Sequence, residues 1–443
     1  MDADLLHDIV SAALRSGADA AEAAMSERQA LSVSVRLGDL EEVEREESRD
    51  LGLRVFVGRR QAVVSGSDLS PPARAKLVER AVAMARAAPE DPYAGFAPEA
   101  RLAKGPAPDL DLYDPSEFSA ETLEVQARRA EDVARAADGV TNTDGASASW
   151  SSGTWGLVTS HGFHGSLQAS SFSLSASAIA GQGAGMERGG EGRGTRHAED
   201  LPSPEEIGRE AARRAVERVG ARKIDSRTAP VIFENRQATS LIGPFVGAIS
   251  GPAVARGVSF LKDKLGQQVF SSAINLVDDP LRARGLGSSP FDDEGVAVGP
   301  RALVQDGVLA TWLLNSSSAR QLGLETTGHA SRGLAGPPGV STHNLTLQPG
   351  EASLQELMSQ AGEGLLITSM FGPSLNANTG DWSAGVSGFW FEGGAIAYPV
   401  TEITVAGNLL DIYARLVPGS DLEIRGASNA PSLLVDGLAI AGR

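Results

Sequence analysis

Alternating and helical spacing of apolar residues predicts a chain built from helices and antiparallel strands. Residues 2–16 have helical periodicity and are followed by a glycine, a common helix end. Strict alternation in LSVSVRL (31–37) predicts a half-buried strand, and LGLRVFVG (51–58) with QAVVSG (61–66) predicts a pair of strands. SLQASSFSLSASAIAG (166–181) alternates apolar residues with serine, which is typical of a long antiparallel strand with a polar outer face. The pattern predicts the α+β class.

Changes in composition divide the chain into three segments. Residues 1–95 predict an N-terminal mixed sheet with flanking helices. A stretch rich in Pro, Ala and Asp (89–115) then forms the first connection. Residues 96–225 predict a middle α+β segment, and residues 226–443 predict a larger, β-rich C-terminal domain.

One part of the middle segment is unusually rich in glycine. Seven of the fourteen residues in GQGAGMERGGEGRG (181–194) are glycine. The segment lacks the lysine of a phosphate-binding loop, and it lacks the spacing of a dinucleotide-binding motif. We therefore interpret residues 181–194 as a mobile loop.

The composition restricts the classes of function that fit the chain. A net charge of −17 would repel phosphate backbones, so we expect no nucleic-acid partner. No run of about 18 apolar residues occurs and the N-terminus lacks the order of a secretory signal, so we expect no membrane partner and a cytoplasmic location. The chain contains no cysteine, which excludes disulfides, thiolate metal ligands and a cysteine nucleophile.

The histidines are candidate metal ligands or bases. His161 and His164 form the sequence HGFH, in which two histidines could bind a metal, but interrupting glycines and flanking strand patterns favour a hairpin turn. His197 follows the glycine-rich segment, and His329 and His343 lie among Gly, Ser and Asn. We interpret each of these three as a turn or surface residue.

Two acidic clusters, VDDP (277–280) and FDDEG (291–295), could hold a hard cation such as Mg²⁺ or Ca²⁺. Both adjoin Pro or Gly and neither has the spacing of a calcium-binding loop, so turn and cap roles are favoured. The motifs G-x-S-x-G and H-E-x-x-H are absent from the sequence. Common hydrolase signatures are therefore missing.

The stretch TSLIGPFVGAISG (239–251) predicts a helix with one apolar and one bare face. Leu241, Phe245, Val246 and Ile249 recur at helical spacing, whereas the opposite face carries mainly glycine. Each glycine inside a helix costs about 1 kcal/mol relative to alanine. The sequence leaves open whether the bare face packs on the protein's own sheet or admits another backbone.

Three longer stretches together resemble the TldD/TldE (PmbA) metalloprotease family. They are LGLRVFVGRRQAVVSGSDLS, SPFDDEGVAVGPRALVQDGVLATWLLNSSSARQLGLETTGHA and GLLITSMFGPSLNANTGDWSAGVSGFWFEGGAIAYPVTEITVAGNLLDI. The likeness runs from about residue 10 to the last predicted strand. Several ordered motifs over this length make the resemblance specific.

The resemblance also indicates a branch of the family. The TldD branch carries H-E-x-x-x-H on a helix and a C-terminal cysteine as a further zinc ligand. By resemblance, residues 239–251 take the place of that helix, with Gly243 and Ala248 at the two histidine positions and Pro244 at the glutamate position. The cysteine-bearing segment is shortened to EIRGASNA (423–430). The chain is therefore similar to the TldE branch, which implies no catalytic residues or cofactor here and zinc in a TldD-type partner.

This resemblance implies a function in peptide hydrolysis. The chain would be the non-catalytic subunit of a heterodimer that degrades or matures unfolded peptides, and it would shape the substrate chamber around the TldD active site. One alternative is a stand-alone hydrolase with an unrecognised site, using His161 and His164 or using Asp292, Asp293 and Glu294. Another is a homodimer that binds peptides without cutting them.

Overall fold

The computed structural model describes residues 3–443 and begins with a large antiparallel sheet. Its six strands are β1 (Ala20–Arg36), β2 (Asp39–Val57), β3 (Arg60–Gly66), β4 (Val140–Thr159), β5 (His164–Ala180) and β6 (Glu187–Thr195). Four helices flank it: α1 (Ala3–Arg15), α2 (Pro71–Ala87), α3 (Ala120–Ala136) and α4 (Pro204–Val216). These elements confirm the helix predicted at residues 2–16, of which residue 2 lies outside the described part, and the predicted strands.

The first sheet has the order β3-β2-β1-β4-β5-β6, and every neighbouring pair is antiparallel. The α+β class is confirmed, but the mixed N-terminal sheet was a wrong expectation. Strands from residues 1–95 and from residues 96–225 form one sheet, because β1 pairs along most of its length with β4. Local periodicity identifies a strand but does not identify a partner more than a hundred residues away.

Helices cover only one face of the first sheet. One hydrophobic cluster packs α1 and α2 on β1–β3, and another packs α3 and α4 on β1, β4 and β5. The opposite face carries serine pairs across β4 and β5, with hydroxyl oxygens 2.9 Å apart for Ser147 and Ser175 and 2.7 Å apart for Ser149 and Ser173. This arrangement confirms the predicted polar outer face of β5.

The glycine-rich segment is mostly a strand, which corrects the prediction of a mobile loop at residues 181–194. Its second half is β6, paired with β5 from Glu187 to Thr195. A Cβ atom added at Gly189 would meet the amide nitrogen of Ala215 and lie 2.6 Å from the carbonyl oxygen of Ala211. The glycines therefore allow α4 to pack directly against the β6 backbone, a close approach that composition alone does not reveal.

The remaining residues form the β-rich C-terminal domain. Its helices are α5 (Asn235–Ala248), α6 (Gly251–Ala255), α7 (Ser316–Leu322), α8 (Leu354–Ala361) and α9 (Leu409–Ala414). Its longer strands are β7 (Arg227–Phe233), β9 (Arg301–Gln305), β14 (Glu363–Leu375), β15 (Asp381–Glu392), β16 (Ala395–Asn408) and β19 (Leu433–Ala441). Its short strands are β8 (Leu276–Asp278), β10 (Val308–Leu309), β11 (Ala330–Ser331), β12 (Gly339–Val340), β13 (Leu345–Leu347), β17 (Val417–Pro418) and β18 (Ser428–Asn429).

Two sheets enclose the core of this domain. One has the order β16-β15-β14-β7-β19-β17, and an additional β16–β19 pairing closes five of its strands into a ring. The other has the order β10-β9-β8-β13-β18. The largest hydrophobic cluster joins both sheets and includes the buried face of α5. Across residues 3–443, no helix combines the length and apolar character needed to span a membrane.

Candidate functional site

Helix α5 is positioned by the strand that precedes it. Strand β7 pairs in parallel with β14, and the Glu234 amide then donates to the carbonyl oxygen of Ile367 at 3.0 Å. The predicted apolar face is confirmed, since Leu241, Phe245 and Ile249 are fully buried and Val246 packs against the same core. The Tyr413 hydroxyl donates to the Leu241 carbonyl oxygen at 2.8 Å, which fixes the middle of the helix on the core.

The structure divides the predicted zinc-motif positions between two faces of α5. Gly243 is exposed, Pro244 is half-buried inside the helix, and Ala248 is buried. None of the three side chains contains a nitrogen, oxygen or sulfur donor, so these residues do not fit a zinc ion or a general base. We therefore derive no catalytic step through zinc on this chain.

The glycines around α5 differ in what surrounds them. Apart from the adjacent residues and the backbone of α5 itself, an added Cβ at Gly243 or Gly247 would have no atom of residues 3–443 within 4 Å, so both positions face open space. An added Cβ at Gly251 would lie 2.5 Å from Ser318 Oγ and 2.8 Å from the carbonyl oxygen of Leu313. Within the chain, close packing therefore explains Gly251 but does not explain Gly247.

A buried cluster that the sequence analysis missed joins Asp278, His329 and His343. Asp278 Oδ2 lies 3.2 Å from His329 Nε2 and 2.9 Å from His343 Nδ1. His329 is 3% exposed and Asp278 is 1% exposed. The interpretation as a turn or surface residue was wrong for the buried His329, whereas His343 lies half-buried in a bend. In VDDP the turn role was wrong for Asp278, which ends strand β8, but Asp279 Oδ1 accepts the Leu281 amide at 2.9 Å. Pairing of β8 with β13 places His343 beside Asp278, and pairing of β11 with β12 places His329 beside the segment that leads to His343, so local patterns gave no signal.

The electrostatics of this cluster follow from its hydrogen bonds. Burial alone would raise the pKa of Asp278, but hydrogen bonds from His329 and His343 lower it to about 2. Burial lowers the pKa of His329. The ring Nδ1 of His329 lies 2.8 Å from the Thr327 hydroxyl, which orients the imidazole.

Two imidazoles and one carboxylate are donor types that first-row divalent cations accept. The three ligand atoms lie within 4.8 Å of one another, and they form the one such group found among residues 3–443. However, the Asp278 carboxylate also accepts the His343 amide at 2.8 Å, so hydrogen bonds already satisfy it. The geometry thus suits a structural hydrogen-bond network at least as well as a cation.

The FDDEG cluster is buried and has the expected turn role. Asp292 Oδ1 accepts the amides of Glu294 at 3.0 Å and Val296 at 2.9 Å. Asp293 accepts the amide of Arg332 at 2.8 Å, and the Glu294 carboxylate accepts that of Ser316 at 2.8 Å. Burial raises the pKa of Asp292, Asp293 and Glu294. Their carboxylates bind backbone, which does not indicate a catalytic role.

His161 and His164 do not converge on one point. The predicted hairpin turn is confirmed, since His161 lies in the turn between β4 and β5 and His164 begins β5. The His161 ring stacks on Phe96 with centroids 4.2 Å apart, whereas His164 is exposed and lies near His7, with ring centroids 6.2 Å apart. This placement gives no support to a shared metal ion.

Comparison with known proteins places these features in a family. Family models match residues 21–85, described as PmbA/TldA metallopeptidase domain 1, residues 113–219, the central domain, and residues 226–442, the C-terminal domain. The chain is 40% identical to metalloprotease PmbA of Escherichia coli O157:H7, over 99% of this chain and 96% of that protein. It is 38% identical to a PmbA homolog of Haemophilus influenzae, over 98% and 94% of the two chains.

Solved structures share the fold. A candidate modulator of DNA gyrase from Thermotoga maritima superposes with a TM-score of 0.88 at 28% identity, covering 100% of both chains. TldE from Thermococcus kodakarensis has a TM-score of 0.87 at 20% identity, covering 99% of this chain and 100% of that one, which shows the fold alone. The fold and the matches to three family domain models define a protein of a metallopeptidase class. The chain belongs to the PmbA/TldD metallopeptidase family.

Proposed function

We propose that this chain is the non-catalytic, TldE-like subunit of a TldD/TldE-type zinc metalloprotease that degrades or matures unfolded peptides in the cytoplasm. Its family membership supports a role in peptide hydrolysis. The observation that carries the non-catalytic role is α5, where Gly243, Pro244 and Ala248 supply no ligand or base. Zinc and the hydrolytic residues would then be those of the TldD-type partner.

The open face of α5 supports a role in shaping the substrate chamber. Gly247 carries the helix cost of glycine, although no other element within residues 3–443 packs against it. A glycine at this position would be explained if the surface must allow a partner subunit or an extended peptide to approach the α5 backbone closely. In this proposal, α5 lines the chamber or contacts the partner, and its missing side chains leave space for that approach.

The test is reconstitution with a TldD-type subunit that carries H-E-x-x-x-H. We expect co-purification of the two chains and cleavage of an unfolded peptide by the complex. A chelator should abolish cleavage and added zinc should restore it. The matched control replaces the glutamate of the partner's motif by glutamine, which should abolish cleavage without disrupting assembly. If the present chain alone binds zinc stoichiometrically and cleaves the peptide, the proposal is wrong.

A second candidate is a hydrolase with its own metal centre, and the Asp278–His329–His343 cluster is the observation that favours it. Activity of the purified chain that requires a divalent cation and is lost in His343→Ala would support this candidate. Inactivity of the chain alone with every cation tested would instead support the first proposal. Sedimentation of the isolated chain separately tests for the homodimer alternative.

A further inference from the structure

A groove with a cationic wall lies where α4 meets the ring-closed sheet. Its volume is about 550 Å³, within the roughly 300–1,000 Å³ of typical ligand sites. We call it the arginine groove and define its wall by Arg213, Arg214, Arg218 and Arg236. It lies on the opposite face of the sheet from the core that buries α5, so it is separate from the α5 surface discussed above.

The floor of the arginine groove is apolar. Leu366 of β14, Phe389 of β15 and Tyr398 of β16 line it, together with Ile396. Ile396 is 47% exposed, so an apolar side chain faces the open groove. The guanidinium carbon of Arg222 lies 3.5 Å from the centroid of the Tyr398 ring and holds that ring in place. A large apolar group could bury its surface here without moving the core.

The wall is positive in a chain that is strongly negative overall. Four arginines and two glutamates, Glu217 and Glu234, line the groove, whereas the chain as a whole has a net charge of −17. Arg213 binds Glu210 and Glu217 at 2.5 Å each, and Arg214 binds Glu191 at 2.8 Å. These two arginines are already neutralised, so any free positive charge comes from the others.

Arg218 supplies that free charge. Its guanidinium donates to the carbonyl oxygens of Arg188 at 3.0 Å and Thr368 at 3.2 Å, which are neutral acceptors. Within the described chain, Arg218 forms no ion pair with a carboxylate. Burial lowers its pKa, which indicates that its charge has lost much of its hydration. Glu187, Glu217 and Glu234 attract this guanidinium without pairing with it directly, so an anion that reached it would add a direct ion pair.

The ion pair of Arg236 with Glu234 is incomplete. The closest nitrogen and oxygen atoms are 3.2 Å apart, and both Arg236 Nε and Glu234 Oε2 are buried without a hydrogen bond. Burial raises the pKa of Glu234 to about 7 against the opposing charges of the arginines around it, which are Arg213, Arg214, Arg218 and Arg425. A fraction of Glu234 is therefore neutral near pH 7, which leaves the wall more positive.

We propose that the arginine groove binds the C-terminal residue of a peptide, with its carboxylate at Arg218 and Arg236 and its apolar side chain on Leu366, Phe389 and Tyr398. Charge complementarity selects the carboxylate, and the floor selects an aromatic or large aliphatic side chain. This inference rests on the proposed function, because unfolded peptides have free chain ends. It adds a recognition site for one end of such a peptide, at the N-terminal end of α5 and separate from the open face at Gly243 and Gly247.

The test measures binding to the full-length chain without a partner. The probe is a fluorescent, otherwise uncharged pentapeptide that ends in phenylalanine with a free carboxylate. Its matched control is the same peptide with a C-terminal amide, which differs mainly in charge. We expect the amide to bind at least about 10-fold more weakly, because hydrogen bonds to charged groups are lost. A peptide that ends in glycine should also bind more weakly.

Three variants locate the site. Arg218→Gln should weaken binding of the carboxylate peptide about 10-fold or more and should reduce the difference between acid and amide. Ile396→Ala removes an exposed side chain, so it should weaken binding several-fold without unfolding the chain. Arg209→Gln is the control, since Arg209 is an exposed residue of α4, the helix that precedes Arg218, and does not line the groove.

Equal binding of acid and amide would overturn the proposal, and so would equal effects of Arg209→Gln and Arg218→Gln. Competition by decanoate with the affinity of the peptide would assign the groove to free amphiphilic acids and would also overturn it. If inorganic phosphate by itself displaced the peptide, the groove would be a simple anion site, and this result would also overturn the proposal. Assembly with the TldD-type subunit is a separate measurement, so the groove can fail this test while the proposed function stands.

Discussion

The glycines of α5 and α6 allow a test in which the same substitution has opposite effects. Gly247→Ala adds a Cβ in open space and removes the helix cost of glycine. We expect it to raise the free energy of unfolding by about 0.8–1 kcal/mol. Gly251→Ala adds a Cβ that would lie 2.6 Å from a Leu314 methyl carbon and 2.5 Å from Ser318 Oγ. We expect this overpacking to lower the free energy of unfolding by about 1–3 kcal/mol.

Gly243 is not an equivalent test position, although it is just as open. It precedes Pro244, and a Cβ before proline clashes with the proline ring in helical geometry. Glycine at residue 243 therefore has a local reason, whereas the described part of the chain gives none for glycine at 247. For this reason Gly247 is the informative position.

Urea unfolding followed by far-UV circular dichroism measures both variants, with the slope against urea checked for equality with the parent chain. The two substitutions should differ by roughly 2–4 kcal/mol, well above the error of such measurements. If Gly247→Ala destabilises the isolated chain by 1 kcal/mol or more, the open face assigned to α5 is wrong. If Gly251→Ala is neutral, the close packing against α7 is wrong.

The same position then tests the role of the open face in assembly. Gly247→Leu should leave the isolated chain folded, since its side chain points into open space. It should weaken association with the TldD-type subunit or reduce peptide cleavage by the complex, because bulk now occupies a surface that the proposal keeps clear. Unchanged assembly and unchanged cleavage with this variant would show that neither partner nor peptide approaches residue 247.

Four further predictions follow from the structure. Burial raises the pKa of Glu234 in the folded chain, so the free energy of unfolding should fall as the pH rises from 4.5 through about 7, by at most about 3 kcal/mol. Glu234→Gln should abolish this loss, which unfolding measured at pH 5 and at pH 8 would show. Gly189→Ala should destabilise the chain by about 1–3 kcal/mol, because its Cβ would clash with the backbone of α4. Gly190→Ala is the control, since its Cβ would lie 3.5 Å from the nearest atom, and it should change stability by less than about 0.5 kcal/mol in the same assay. Asp278→Asn should lower the free energy of unfolding by about 1–3 kcal/mol at pH 7. Because the pKa of Asp278 is lowered in the folded chain, the difference in stability between the variant and the parent chain should shrink as the pH falls from about 4 towards 2 in an acid titration of folding. His161→Ala should lower the free energy of unfolding by about 0.5–1.5 kcal/mol, because the stack of its ring on Phe96 is lost. Peptide cleavage by the complex should stay unchanged. A complete loss of cleavage with the fold intact would show that the turn containing His161 has a role in cleavage.

Much of the local structure followed from the sequence because it depends on short-range spacing. The serine alternation in β5 and the apolar face of α5 each follow from the repeat of one element, 2.0 or 3.6 residues. The absence of side-chain donors at Gly243, Pro244 and Ala248 is likewise a property of the sequence alone. The family followed from ordered motifs spread over nearly the whole chain, and the domain matches agree with it.

Long-range packing decided the features that the sequence analysis missed. The segment 181–194 has the composition of a flexible loop, but α4 approaches β6 so closely that glycine is required at residue 189. His329 and His343 have the neighbours of surface residues, yet pairing of β8 with β13 and of β11 with β12 brings both to a buried Asp278. In both cases the deciding contact joins residues that no local window includes.

The sequence by itself determined which side chains exist at the helix of residues 239–251, and hence that this helix offers no metal ligand. Only the tertiary structure decided which of its glycines are open, because openness depends on where α7 and the two sheets lie. The same holds for the arginine groove, whose wall and floor come from α4, α5 and three strands of one sheet. Side-chain chemistry is fixed by the order of residues, but proximity and burial are fixed by the way distant elements pack.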